Sequence, residues 1–438
     1  MRVLVIGSGG REHAILWALR QTSGTTLDLY SAPGNGGISD IAECVSINVT
    51  DHSGLMKFAH DNRIDLTIVG PEGPLAAGIV DEFENSGLRI MGPSRAASRL
   101  ESSKAFAKAF MSRHQIPTAE YSIASSASEA IETLRSGRFG PGDAPVVVKA
   151  DGLAAGKGVV VATSRAEAEK AVAEITGGSL VAREASLQIV LEEALQGREV
   201  SVLLFADGND YALMPPARDH KRIGENDSGP NTGGMGAITD PSVLDSDTLN
   251  RIVSEVVEPT LRGAREEGFP FRGILFIGLM LTADGPKVLE YNVRFGDPET
   301  QAILVRLKSS LLEIFDAIVE GNLGKVNVEW TGQSSACVVL ASGGYPGSYQ
   351  SGIAINGLKK APPSADLQIF HAGTSKSSTG DFKTAGGRVL GVTAVSPTLQ
   401  QALDRCYQTI EAISWPGMQY RRDIGRFGLK ASSSEFNL

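Results

Sequence analysis

Residues 146–161 read VVVKADGLAAGKGVVV: two β-branched runs joined by a glycine-rich loop that carries Lys149 at its entrance and Lys157 near its exit. Runs of this composition form strands, because β-branched side chains pack well on a pleated surface. A P-loop needs four residues between its glycines, a Ser or Thr after its lysine, and a helix behind it. Here three residues separate Gly152 from Gly156, and Gly158 follows Lys157. A strand follows the loop, so no helix dipole backs it. The pattern is not a P-loop. It predicts a strand–loop–strand hairpin whose backbone can close over an anion; a mobile hairpin with a solvated lysine is the plainer alternative.

Two stretches downstream add chemistry. In IVLEEALQGREVSVLLF (189–205), Glu192 and Leu195 stand seven and four residues before Glu199. Strand alternation puts Glu199, Ser201 and Leu203 on one face. In GPKVLEYNVRFGDPETQ (285–301), the same alternation places Val288, Glu290, Asn292 and Arg294 together, opposite Leu289, Tyr291 and Val293. A carboxylate and a carboxamide side by side offer oxygen ligands to a hard divalent cation that shares nucleotide phosphates. Arg294 beside them suits a transferring phosphoryl group.

The chain opens with MRVLVIGSGGREHAI (1–15), a buried-type strand, a glycine turn and a helix. A dinucleotide fingerprint requires a third glycine where this chain has Glu12. A carboxylate there would repel a pyrophosphate at the helix N-terminus. The amides of Gly9, Gly10 and Arg11 could still hold one phosphate, with Arg11 as counter-charge.

Composition sets the class. The 438 residues suffice for several domains, and 42% hydrophobic with 21% charged residues describe an ordinary globular protein. A net charge of −9 without a basic block argues against nucleic acid and anionic membrane as partners. The 50 glycines exceed the usual share of about 7% and fit several loops that approach a ligand closely. Cys44, Cys337 and Cys406 stand far apart, suiting a reducing, cytoplasmic setting and no zinc site. The first strand begins at once, which leaves no room for a signal peptide, and GILFIGLML is too short to span a membrane.

Strand and helix signals alternate over residues 1 to about 100, and a helical segment follows at 98–116. Strands dominate from 146 to about 306, with a helix near 241–267. A small α+β region with a frayed ASSSEFNL tail completes the chain. The expected fold is therefore α/β and α+β multidomain. An N-terminal open parallel α/β sheet spans 1–101, and a central domain spans 102–329 with a lid subdomain at about 118–190. A C-terminal α+β domain covers 330–438.

The three central elements, in this order, resemble the ATP-grasp superfamily. ARDHKRIGENDSGPNTGGMGA (217–237), GPSRAASRLESSKAFAK (92–108), NVRFGDPETQ (292–301), FHAGT (370–374) and QYRRDIG (419–425) are together similar to the glycinamide ribonucleotide synthetase (phosphoribosylamine–glycine ligase) family. The resemblance runs over nearly the whole chain. It implies ligation of glycine to 5-phosphoribosylamine with ATP and Mg2+ or Mn2+, releasing ADP and phosphate through a glycyl phosphate, in de novo purine biosynthesis.

By motif, Lys104 and Lys149 would hold nucleotide phosphates, under a mobile lid from Gly152 through Gly156 and Lys157 to Gly158. Residues Glu192 to Leu195 would receive adenine and Glu199 the ribose. Glu290 and Asn292 would be the metal ligands; a further carboxylate that many ATP-grasp enzymes carry upstream is replaced here by FIGLM. Asp219, Lys221 and Arg294 would surround the reacting carboxyl and phosphate. Asp297 would orient the glycine ammonium, and Gly9, Gly10 and Arg11 the sugar phosphate. No side-chain nucleophile is required, and a monomer is the expected assembly. The alternatives are another ATP-grasp carboxylate–amine ligase, a catalytically dead ATP-binding regulator, and a nicotinamide-dependent oxidoreductase resting on residues 1–20 alone.

Overall fold

Val3 to Ile6 have no exposed surface, as expected of a strand buried on both faces. In the computed structural model, which describes residues 1–141, 144–153, 158–178 and 188–426, this strand (Arg2–Gly7) is central to a parallel sheet. The order across the sheet is Glu43–Cys44, Asp28–Pro33, Arg2–Gly7, Leu66–Val69 and Ile90–Met91. The chain builds outward on one side of Arg2–Gly7, then returns to build on the other. Ligands of open α/β sheets bind at the carboxyl ends of the strands at such a reversal, which is where the Gly7–Gly10 turn lies. Gly7 takes the left-handed φ of +132° in this turn.

The 98–116 helical segment is interrupted. Arg95–Ser102 and Lys104–Arg113 are separate helices, broken at Ser103, whose Oγ accepts from the Phe106 amide as a cap. Asp151, from the glycine loop, adds a second acceptor at that helix start, taking the Ala105 amide at 3.1 Å. The expected helix near 241–267 is continuous from Ser246 to Glu266 through a π-helical turn at Val253–Val257.

Two antiparallel sheets follow. One contains Tyr121–Ala124, Ile189–Glu193, Val146–Ala150 and Val159–Ala162, with helices Ala127–Arg135 and Arg165–Thr176 sharing its apolar core. The Val146–Ala150 and Val159–Ala162 pairing is the hairpin expected for 146–161. The lid residues Gly156 and Lys157 lie outside the described residues, as does the ASSSEFNL tail. The second sheet runs Tyr211–Leu213, Arg198–Asp207, Arg272–Thr282, Gly285–Asn292.

Within Gly285–Asn292 the expected alternation fails at one point. Gly278 pairs with Glu290 and Leu279 with Val288, so Leu289 is an extra residue in a bulge. Val288 is consequently fully buried on the same side as Tyr291 and Val293. Glu290, Asn292 and Arg294 remain together without it.

The last sheet, with the Leu399–Ile410 helix packed on it, crosses the boundary expected at 330. Its order is Arg218–Asp219, Gly236–Thr239, Ser334–Ala341, Arg388–Ser396 and Leu367–His371. Its first two strands come from the central part of the chain. They carry Asp219 to the seam between central and C-terminal regions, with Lys221 just beyond.

Candidate active site

Four cations from three parts of the fold converge on Glu290. Burial pushes the Glu290 carboxyl upward, but Lys221, Lys149, Lys104 and Arg294 reverse the effect and hold it below the ordinary range. Lys221 Nζ lies 3.7 Å from Glu290 and 3.2 Å from Glu199. Glu290 keeps 41% of its side chain open and Lys221 37%, so this end of the cluster faces solvent while Lys149 backs it from the interior. Across the ladder stands Gly278, so no carboxylate faces Glu290 from the neighbouring strand.

Lys104 and Lys149 are positioned by main-chain oxygens. Lys104 Nζ donates to Gly152 O at 2.8 Å, which ties the start of the 104–113 helix to the glycine loop. Burial lowers its pKa and Glu290 opposes this. Lys149 Nζ donates to Leu289 O at 3.2 Å, from the bulge residue itself. Lys149 also lies 2.7 Å from Glu192, whose other oxygen is 2.8 Å from the buried Lys108. The Glu192 side chain is thus a buried counter-ion between two lysines, a role that strand-end spacing did not indicate. Leu195 is half-buried in the link that follows its strand. Glu199 is exposed and engaged with Lys221.

Asn292 Oδ1 accepts from Arg294 Nη2 at 3.1 Å, beside Glu290. Among the described residues no group of three His, Cys, Asp or Glu side chains could hold a cation unaided. The Glu290–Asn292 oxygen pair fits a hard cation that takes its remaining ligands from phosphates.

Several neighbours escaped the sequence reading. Arg294 is surrounded by Glu72 (3.3 Å) and Glu101 (2.9 Å), both from the first hundred residues. Glu299, at the start of a buried helix, is pushed up to about 8, first by burial and then by Asp219. Asp219 is also raised by burial, with Glu199 and Glu290 adding and Lys221 opposing. Arg388 pairs with Asp297 at 3.2 Å and donates to Gly233 O and Asp297 O. Nothing in local periodicity marks these residues, because each meets the site only through tertiary contacts.

The N-terminal turn requires a correction. Glu12 Oε2 accepts from the Gly9 amide at 2.5 Å, so that donor is not free for an anion. Arg11 is buried, its Nε on Glu12 Oε1 at 2.7 Å and its Nη1 on Phe295 O at 3.1 Å. The expected counter-charge is therefore already committed. A Cβ at Gly10 would meet Gln301 Nε2 at 2.6 Å, and that same nitrogen donates to Asp297 Oδ1 at 2.8 Å. Glu12 replaces the third glycine as an internal strut that satisfies the turn's own amide.

A parallel α/β sheet, two antiparallel sheets bearing a lysine–carboxylate cluster, and a glycine hairpin beside it define an ATP-grasp protein. Family models agree along the chain. The phosphoribosylglycinamide synthetase N domain matches residues 1–101, its ATP-grasp (A) domain 102–300 and its C domain 335–427. The chain belongs to the phosphoribosylglycinamide synthetase family.

A phosphoribosylamine–glycine ligase of Brucella melitensis is 47% identical over 425 residues, covering 97% of each chain. One from Vibrio cholerae is 47% identical over 429 residues, covering 97% of this chain and 98% of that one. The crystal structure of the Thermotoga maritima phosphoribosylamine–glycine ligase superposes with a TM-score of 0.83 at 33% identity, covering 97% of this chain and all of the other. Campylobacter jejuni biotin carboxylase, solved as a β,γ-ATP complex, shares the fold alone, with a TM-score of 0.69 at 14% identity over 98% and 95% of the chains. No helix among the described residues is long and apolar enough to cross a membrane.

Proposed function

We propose that this chain joins glycine to 5-phosphoribosylamine, consuming ATP and releasing ADP and phosphate, in a cytoplasmic setting suited to its three free thiols. The observation that carries the reading is the convergence of Lys104, Lys149, Lys221 and Arg294 on Glu290, in a chain that matches its family over residues 1–300 and 335–427.

Lys104, tied to Gly152 O, and Lys149 neutralise the ATP phosphates. The hinge from Glu192 to Leu195 receives adenine, with Glu199 at the ribose. Glu290 and Asn292 hold Mg2+ or Mn2+, which when bound draws charge from the phosphates. A glycine carboxylate oxygen attacks the γ-phosphorus, ADP leaves, and Arg294 and Lys221 stabilise the charge spread over the transferring group. The sugar amine then attacks the carbonyl carbon of glycyl phosphate and phosphate leaves. Asp219, which has no cation within 4 Å among the described residues, is better placed than the already paired Asp297 to receive the glycine ammonium. Holding the reactants together supplies the rest.

The test is ADP release measured with glycine and phosphoribosylamine supplied separately and together, at several metal concentrations. Sustained release only with both supports the reading; release indifferent to either overturns it.

A further inference from the structure

The turn that opens the chain is connected to Arg294 through one carbonyl. Arg11 Nη1 and Arg294 Nη1 each donate to Phe295 O at 3.1 Å. Two guanidinium groups sharing an oxygen repel each other, so the arrangement requires carboxylates around it. Glu12 holds Arg11 at 2.7 Å from one side. Glu72, 3.3 Å from Arg294 Nε, is lowered by both arginines acting against its burial. Glu101 lies 2.9 Å from Arg294 Nη2 and accepts the Val293 amide at 2.7 Å. Every nitrogen of Arg294 thus has a protein acceptor, and two of them, Glu72 and Glu101, come from the first 101 residues.

Resting on the ligase reading, we infer that Arg11 is a positioning residue: with Glu12, Glu72 and the Phe295 carbonyl it fixes the Arg294 guanidinium beside Asn292 and does not bind the sugar phosphate. The motif GSGGRE then has two parts. Its glycines and its glutamate shape the turn, the glutamate holding both the Gly9 amide and Arg11, while its arginine reaches Phe295 O beside Arg294. A guanidinium is needed because it bonds Glu12 through Nε and Phe295 O through Nη1 at once, which a lysine ammonium on a flexible stem does not reproduce.

The experiment compares wild type, Arg11→Met, Arg11→Lys, Arg294→Lys and the Arg11→Met/Arg294→Lys pair, reading kcat and the KM of phosphoribosylamine alongside equilibrium ATP binding. Arg11→Met should lower kcat by about 10- to 100-fold, below the loss usual for a direct electrostatic contact. The sugar KM should change less than about 3-fold, and Arg11→Lys should not rescue. In the Arg294→Lys background the Arg11→Met effect should largely vanish, since residues acting through one another are non-additive. A purely structural defect would persist in that background and would overturn the inference.

A sugar KM raised 10-fold or more with kcat retained, and restored by lysine, would make Arg11 a phosphate ligand and also overturn it. If Arg11→Met does not fold, Glu72→Gln removes the same brace from its other end and should show the same kcat-selective loss; unchanged kinetics there are equally fatal. Wild type without glycine- and sugar-dependent ADP release would overturn the ligase reading itself, and the inference with it.

Discussion

Glu192 stands between Lys108 and Lys149, 2.8 Å from one ammonium and 2.7 Å from the other, with all three side chains buried. Burial brings Lys108 down to about 8 even though Glu192 opposes the shift. Removing the carboxylate leaves two ammonium groups facing each other in a poorly hydrated space. Glu192→Gln should therefore destabilise the protein by about 3 kcal/mol, as breaking one partner from a buried ion pair does. Denaturant unfolding at pH 7 measures this, and a loss below about 1 kcal/mol would mean water already screens the triad.

Glu290 is held ionised by the cations around it. Glu290→Gln keeps the shape and removes the charge. The metal concentration for half-maximal rate should rise, and the maximal rate should fall about 100-fold, the lower end for losing one positioned electrostatic contact. An unchanged metal titration would exclude Glu290 as a ligand.

Gly10 has no room for a side chain because Gln301 fills the space. Gly10→Ala should push Gln301 off Asp297 and lower turnover while leaving ATP affinity nearly unchanged. Combining it with Gln301→Ala relieves the overlap, so the double variant should be less impaired than the two single effects multiplied. Multiplicative losses would place the defect elsewhere.

Three buried histidines make the fold sensitive to acid. Burial is the first cause in each case, bringing His13 to about 3 and His220 and His371 to about 4. His13 Nδ1 accepts the His371 amide at 2.9 Å, and His220 Nε2 accepts the Gly425 amide at 3.2 Å, so both bonds require the neutral ring. Folded pKa values below the unfolded value of about 6.5 mean that the unfolded chain binds more protons between pH 6.5 and 4. Their stabilising effect is complete above pH 6.5 and is lost as pH falls. With three such groups the slope approaches about 4 kcal/mol per pH unit in that window. Unfolding midpoints from pH 7.5 to 4.5 should show this decline, less steep in His371→Asn. A flat profile would mean these rings are not held neutral.

The strands that carry the lysine–carboxylate cluster were legible in the chain because short-range sterics determine them. Period-two alternation put Glu290, Asn292 and Arg294 on one face, and the glycine spacing of 152–158 excluded a helix-backed loop. The same rule misplaced Val288, since a bulge depends on how the neighbouring strand registers against Leu289 and leaves no mark in the strand's own pattern. Glu12 was read correctly as breaking the dinucleotide fingerprint, but its function as a strut on the Gly9 amide emerged only from the folded turn.

What the sequence by itself determined is which residues can bear charge, and in what local order they do so. Tertiary structure decided how those charges pair. Glu72 and Arg294 are 222 positions apart and Arg11 and Phe295 are 284 apart, yet they form one buried network. The physical reason is desolvation. Charges carried into a packed interior must find partners wherever the fold brings them, and burial strengthens pairings that no local pattern encodes.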